Sequence, residues 1–584
     1  MQAGALPFRH FIQVSERFHH KPSPARRIMS KPTQFTGAQA VVEALLRYGI
    51  TAGFGVPSIH NLAIYEALRQ QPSFQHWTVR HEQAAAFAAD GFARRSGRPA
   101  AVFASTGPGN LFTLVPLLES LQTNTPVLLI GTNVASPLLD KPCSALHETP
   151  RQLDIFQPLT RLALRVTSPD AIPEAVARAA EVLYGPTPGP AFIEIPHDFL
   201  SAPVAAGFPE GPGKTAAVPS EGEIAEAAAH VGQSQRPTIL LGSGALRDDA
   251  ASSVRKLAET LQAPVLTTTG GKGLIPDDHP LAMGCIARLG AAQELLLASD
   301  LLISFGARFT EFDTGHFRLQ LPARHLQADE DAARIGRRFP VTAGLVGNLN
   351  TIARGLLARA APRAGWWDTA KARARERERL CALGADGYAA LRRLREALGR
   401  GDVVAHDQSI LNYWAAAFFP VFEPRTFLYP SGSGALGYGL PAAIGAACAA
   451  QRYGLSGQVV CVSGDGGFQY TSHELATLAQ HGLPVKILLV NDSAYGVIGY
   501  LQRFRFGHTH EVSLKNPDFC RLAEAFGIWA KRVADCDGLG QALPGWLGAP
   551  GPALLEWSIA LKAPWEIGAI SRPKSLSEKD QVRS

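Results

Sequence analysis

The chain reads as α/β, three doubly wound parallel-sheet domains, and three observations predict it. Its 584 residues exceed what one hydrophobic core organises, so two to four domains are expected. Short apolar runs alternate with helical patterns: 52–56, 101–104 and 126–131 early, TILLGSG, PVLTTTGG, DLLISFGAR and RHLQAD in the middle, 459–463 and 485–490 late. Such alternation implies parallel sheets with helices on both faces. The runs at 459–463 and 485–490 are apolar and β-branched-rich apart from Ser463 and Lys486, the pattern of strands covered on both sides.

Composition narrows the function classes. Apolar content of 46% with 18% charged residues describes a globular protein. The net charge of +6 is spread over many Arg, so no nucleic-acid partner is expected. No run of 18 apolar residues occurs, so no membrane partner is expected either. Seven Cys without a C-x-x-C pair argue against a zinc site and for a reducing compartment, hence a cytoplasmic location. Residues 1–32 are basic, with Glu16 the one acid, and lack the apolar core of a secretory signal. A disordered extension, or an upstream start before Met29, is preferred over a transit peptide.

In chain order, the first domain spans 33–190. It opens with a helix at 36–48 capped by Thr36. A strand at 52–56 runs into Pro57-Ser58-Ile59-His60. A short strand then leads to Glu82 and an Ala-rich helix ending near Gly91 or Gly97. A glycine turn, Ser105 to Asn110, follows the strand at 101–104, and a polar loop with His147-Glu148 follows the strand at 126–131. The central domain with its linker is placed at 191–360, the Pro/Gly-rich 208–220 reading as the linker. A charged, Arg/Ala-rich helical connector covers 361–395, with the Arg on a solvated face. The third domain covers 396–565 and a tail 566–584. Gly432 to Gly437 matches G-x-G-x-x-G but follows no clear strand, so it is a weak dinucleotide signal.

Chemistry concentrates at 459–497. Gly464-Asp465-Gly466-Gly467 ends the strand at 459–463, a helix is expected at 471–480, and Asn491 ends the strand at 485–490. Both polar residues lie at the carboxyl ends of strands, where open α/β sheets bind ligands. A carboxylate and an amide carbonyl are hard oxygen ligands suited to Mg²⁺. The glycines let backbone N–H groups approach an anionic diphosphate at a helix start.

Between Gly466 and Asn491 lie 24 residues, and this spacing, with GGFQYTSHELATL, LPVKILLVND and RHEQAAAFAADGFAR, resembles the thiamine diphosphate-dependent enzymes. The likeness is to their acetolactate-synthase-like, 2-oxo acid decarboxylase branch, including 5-guanidino-2-oxopentanoate decarboxylase-like members, and it covers about 33–565. It implies a pyrimidine-binding, a central Rossmann-like and a diphosphate-binding domain. Glu82 is then the catalytic acid that hydrogen-bonds the cofactor aminopyrimidine, and burial among Ala and Phe is expected to raise its pKa. Gly434 and Leu436 hold and wedge the cofactor. Gly464, Asp465, Gly466, Gly467, Asn491 and Tyr495 bind its other end, with Mg²⁺ on Asp465, Asn491 and the Ser493 carbonyl. His60 and His147 are active-site candidates, and Ala494, Val497 and Ile498 are expected to face the reacting atoms.

The chain departs from the family's patterns in four places. Asp492 stands where many relatives have Asn, and His147-Glu148 where acetolactate synthases have Gln-Glu. Ile59 replaces the acid of pyruvate-decarboxylase types, and Thr310-Glu311-Phe312-Asp313 replaces the usual flavin-side acids and Arg. The resemblance implies decarboxylation of a 2-oxo acid through an enamine, then aldehyde release or ligation to a second carbonyl. The substrate is a small 2-oxo acid whose side chain stays open. Sites between subunits imply a homodimer or homotetramer. Two alternatives remain: an acetolactate synthase with structural FAD in the central domain, and a non-catalytic structural homologue.

Overall fold

The computed structural model describes residues 35–570 apart from 206, 212–216 and 289. The extension at 1–32 and most of the tail at 566–584 lie outside the described residues, as does part of the linker at 208–220.

Three six-stranded sheets, parallel throughout, carry the fold. The first runs Gln75–Thr78, Ala52–Gly55, Ala100–Ala104, Val127–Asn133, Ala191–Pro196, Leu162–Arg165 in spatial order. The central sheet runs Ala282–Cys285, Val265–Thr267, Pro237–Leu241, Leu301–Phe305, His325–Asp329, Ala343–Val346. Its chain order is 3-2-1-4-5-6, that of a dinucleotide-binding sheet. The third runs Phe427–Leu428, Val403–His406, Val459–Gly464, Val485–Asn491, Ala553–Ser558, Trp529–Val533. Its central strand Val459–Gly464 is wholly buried, as continuous apolar character requires.

Several boundaries move. The strand Ala191–Pro196 pairs with Val127–Asn133, so the first sheet runs past the expected limit at 190; its buried apolar side chains complete that sheet's core. The connector resolves into helices Thr369–Ala382 and Asp386–Ala397, the second extending past 395. Arg395 is buried there and donates to the Leu398 carbonyl, unlike its solvated neighbours. The segment after the glycine motif forms a short helix Asp465–Phe468, a 3₁₀ turn and the helix Leu475–His481, so 471–480 is not one helix.

The helix Glu82–Ser96 passes straight through Gly91 and stops at Gly97, whose φ of 71° supplies the left-handed cap. It packs on the helix Gly439–Tyr453, and one core joins the first and third sheets through this contact. A Cβ on Gly91 or Gly445 would strike the backbone of Ala442 or Ala88, so glycine sets how closely the helices approach. Asp90, Arg94 and Glu119 sit in this contact, with Arg94 bridging the two carboxylates and Tyr438 donating to Asp90. Among the described residues no helix is long and apolar enough to cross a membrane.

Candidate active site

Glu82 is the first residue of its helix, with the His81 side chain accepting from Gln83 N at 3.1 Å as the cap. Its carboxylate is half-buried, less enclosed than expected. It faces the turn after Ala100–Ala104: a Cβ at Gly109 would lie 3.2 Å from Glu82 Oε1, so glycine there leaves space in front of the acid. The turn is fastened from below, Gly107 N donating to Gln152 Oε1 at 2.9 Å and Asn110 Nδ2 to the Thr132 carbonyl at 2.9 Å. From the third domain, the buried Glu474 accepts from Arg80 N at 3.0 Å and steadies the entry to Glu82.

His60 and His147 come together, as neighbouring loops of the first sheet would allow, and a third ring joins them. The His60 centroid lies 5.2 Å from that of His147 and 5.0 Å from that of His197, the residue directly after Ala191–Pro196. Burial, then the electrostatic influence of the neighbouring His197 and His147, lower the His60 pKa. His147 holds φ +65°, and its carbonyl packs against Gly107 of the turn. Sequence reasoning missed His197, because a lone His after a strand carries no pattern.

In the third domain, Asp465 opens the short helix at the end of Val459–Gly464 and Asn491 ends the adjacent strand. One nitrogen, Asn516 Nδ2, donates to Asp465 Oδ2 at 2.6 Å and to Asn491 Oδ1 at 3.1 Å. Asn491 Nδ2 donates to Glu556 Oε1 at 2.8 Å, which turns its oxygen toward Asp465. Two hard oxygens thus converge on one electropositive group, the arrangement a divalent cation needs. Burial raises the Asp465 pKa; burial and then the charge of Asp465 push Asp492 up to about 7. The Ser493 residue adopts φ +53° and its carbonyl accepts from Leu514 N at 2.7 Å, leaving one lone pair for a further partner.

The glycines of the motif each meet a close neighbour. A Cβ on Gly464 would lie 2.8 Å from Ser409 Cβ, on Gly466 2.7 Å from the Tyr495 ring, and on Gly467 2.8 Å from Asp407 Oδ1. Asp407, which the sequence reading did not single out, is fully buried and accepts from Gly437 N at 3.1 Å and Gly439 N at 3.0 Å. Burial pushes its pKa up to about 6. Asp407 therefore ties the Gly434–Leu436 turn to the glycine motif. Gly434 has φ +67° and is exposed, and Leu436 is half-buried, so both face open space. From the first domain, Glu119 accepts from Gly432 N at 3.1 Å and Ser433 N at 2.6 Å.

A cavity of about 1040 Å³ begins at Gly434 and is lined by Val497, Leu501 and the central-domain loop from Ala307 to Phe317. Of the residues expected to face the reacting atoms, Val497 lines this cavity, while Ile498 is exposed and Ala494 bridges Ser513. A second cavity of about 670 Å³ lies at the carboxyl edge of the central sheet, with Ser243, Thr269, Asn348 and Arg425 in its wall. Within the chain, no hydrogen bond or ion pair among the described residues joins Glu82 or the three histidines to the Asp465–Asn491 group.

Fold and site together define an α/β protein with a glycine-lined pair of oxygen ligands at strand ends of one sheet and a candidate acid at another. Family models match all three domains: the N-terminal thiamine pyrophosphate binding domain at 35–157, the central domain at 224–356 and the C-terminal thiamine pyrophosphate binding domain at 407–557. A probable 2-ketoarginine decarboxylase of Pseudomonas aeruginosa is 34% identical, covering 93% of this chain and 98% of its own. A probable acetolactate synthase large subunit of Methanocaldococcus jannaschii is 32% identical over 89% of this chain and 91% of its own. The acetolactate synthase isozyme 1 large subunit of Escherichia coli is 30% identical over 90% and 94%. The chain belongs to the thiamine pyrophosphate enzyme family.

Proposed function

We propose that the protein uses thiamine diphosphate and Mg²⁺ to decarboxylate a 2-oxo acid, releasing an aldehyde or ligating the fragment to a second carbonyl. The convergence of Asp465 Oδ2 and Asn491 Oδ1 on one nitrogen carries this reading, because it marks a preorganised cation position beside a glycine-lined strand end. The bound cofactor supplies a nucleophilic carbon and an electron sink.

The chain's own residues do the rest. Asp465, Asn491 and the remaining lone pair of the Ser493 carbonyl hold the cation, and Gly464, Gly466 and Gly467 admit the diphosphate. Tyr495, stacked on Gly466, walls that end. Gly434 offers its carbonyl and Leu436 its apolar bulk to the pyrimidine side. Glu82 holds and releases a proton at its carboxylate, with Gly109 leaving it room. His60 and His147, with His197, are proton carriers at the substrate side, their rings lying within about 5 Å of His60.

Apolar side chains are exposed in one chain on the loops and helices that carry the candidate residues: Ile59, Leu62, Phe112 and Leu146 in the first domain, and Tyr470, Ile498 and Phe506 in the third. Exposed apolar patches of this kind favour an interface. The reading is therefore of a homodimer or homotetramer in which Glu82 of one subunit meets Asp465 of another. All seven cysteines are free, which supports a reducing, cytoplasmic setting.

Product analysis with thiamine diphosphate, Mg²⁺ and a panel of 2-oxo acids, run beside Glu82→Gln, tests the proposal. CO₂ with aldehyde or hydroxy ketone, falling by about 10²–10⁴-fold in the variant while cofactor binding persists, is the expected outcome. Failure to bind the cofactor with Mg²⁺ would sink it and favour a structural homologue. The 3-2-1-4-5-6 central sheet and its edge cavity favour one second reading, an acetolactate synthase with structural FAD. A yellow protein that releases flavin on denaturation would support that reading.

A further inference from the structure

The cavity that opens at Gly434 carries an electrostatic signature that none of the family assignments states. Six guanidinium groups line it: Arg161, Arg308, Arg334, Arg337, Arg338 and Arg505. They arrive from all three domains. Arg161 comes from the first, Arg308 from the end of Leu301–Phe305, Arg334, Arg337 and Arg338 from one central-domain segment, and Arg505 from the last turn of the helix Gly496–Phe506. Glu311 is the one carboxylate in the lining, and it is held by His316 Nδ1 at 2.7 Å.

Three of these arginines are already engaged: Arg334 with Asp331 at 3.3 Å, Arg161 with Asn124 at 3.1 Å and Arg338 over the Phe317 ring. Among the described residues Arg308, Arg337 and Arg505 have no hydrogen-bond or ion-pair partner for their side chains. Burial lowers the Arg308 pKa to about 10, which still leaves it charged at neutral pH. Arg308 is half-buried, whereas Arg337 and Arg505 are exposed, so the charge gathers around an open cleft; like charges there repel one another and attract an anion, and guanidinium forks match carboxylates in two-point contact. The same field opposes a cationic guanidino side chain.

We infer that the 2-oxo acid carries a second carboxylate, bound in this cavity by Arg308, Arg337 and Arg505. The inference rests on the thiamine diphosphate reading and names its substrate class. The 2-oxo carboxylate and carbonyl would lie toward Gly434 and Val497, where the cavity meets the cofactor turn, with the second carboxylate among the arginines.

The test pairs binding with turnover. Calorimetry of the cofactor- and Mg²⁺-loaded protein with glutarate, an inert dicarboxylate, reads binding without chemistry; inorganic phosphate and 1,5-diaminopentane serve as the other anion and a cation. Decarboxylation of 2-oxoglutarate, pyruvate and 5-guanidino-2-oxopentanoate reads selectivity in wild type, Arg337→Ala, Arg505→Ala and the surface control Arg392→Ala. The expected result is glutarate binding in preference to phosphate and diamine, and highest kcat/KM for 2-oxoglutarate. Its KM should rise about tenfold in each of the two cavity variants and stay unchanged in Arg392→Ala. Phosphate binding more tightly than glutarate, no glutarate binding, or equal or better turnover of the guanidino acid or pyruvate would each overturn the inference while leaving the thiamine diphosphate reading intact. Absent cofactor binding would fail that reading instead, and glutarate binding to the cofactor-free protein would still decide the cavity's preference.

Discussion

Asn516 donates one nitrogen to oxygens that arrive from two different strands, and the carboxyl of Asp492 lies beside them. Two neighbouring buried carboxyl groups resist ionising together, so without a cation the Asp465–Asp492 pair retains a proton up to about pH 7. A divalent cation must displace that proton, so affinity rises with pH and levels off above about 7. Wild type is expected to lose up to roughly tenfold more affinity per pH unit below 7 than Asp492→Asn, measured by cofactor-dependent Mg²⁺ titration. Equal slopes in the two proteins would refute the shared-proton account. Asp465 and Asn491 were legible in the sequence because their spacing around a strand–helix–strand unit is a pattern. Asn516, Asp407 and His197 were not. Each is an ordinary polar residue in a loop or at a strand end, and only folding brings it within 3.1 Å of a motif atom or 5.0 Å of another ring.

The helices Glu82–Ser96 and Gly439–Tyr453 set how the acid and the cofactor turn are held. Gly445 lies against the Ala88 backbone with no space for a side chain. Gly445→Val is expected to destabilise by about 1–3 kcal/mol or more, read as a lowered unfolding midpoint, because overpacking forces the helices apart. Wild-type stability in the variant would show that the helices separate freely. Glu119 is fully buried and holds both Arg94 and the backbone N–H groups of Gly432 and Ser433. Glu119→Ala leaves Arg94 with only Asp90 as a carboxylate partner and strands two buried backbone donors, and about 1–3 kcal/mol of stability or more should be lost. Cofactor affinity is expected to weaken with it, since Gly434 follows directly; an unaltered affinity would detach the turn from Glu119. The helix existed in the sequence as an Ala-rich run, but its stop was ambiguous between Gly91 and Gly97. Packing resolves the choice: Gly91 is a contact point, and Gly97 alone has the positive φ of a cap.

At the scale of the whole molecule, the proposed division of the site between subunits predicts complementation. Glu82→Gln and Asp465→Asn proteins, each inactive, should recover about one quarter of wild-type activity when mixed under subunit exchange, because half the dimers are mixed and one of their two sites is intact. No recovery despite exchange, followed by sedimentation of tagged subunits, would mean that both residues act within one chain. The sequence by itself determined the three-sheet α/β architecture and the family, and it singled out Glu82, Asp465 and Asn491 as candidates. Continuous apolar strands, glycine turns at their ends and a constant spacing are local properties, readable without any contact. Tertiary structure alone decided that Ala191–Pro196 belongs to the first sheet, that Asp407 couples the two glycine-rich turns, and that six arginines from three domains share one cavity. Those facts depend on which segments meet in space, and the charge of a cleft is a sum over residues far apart in the chain.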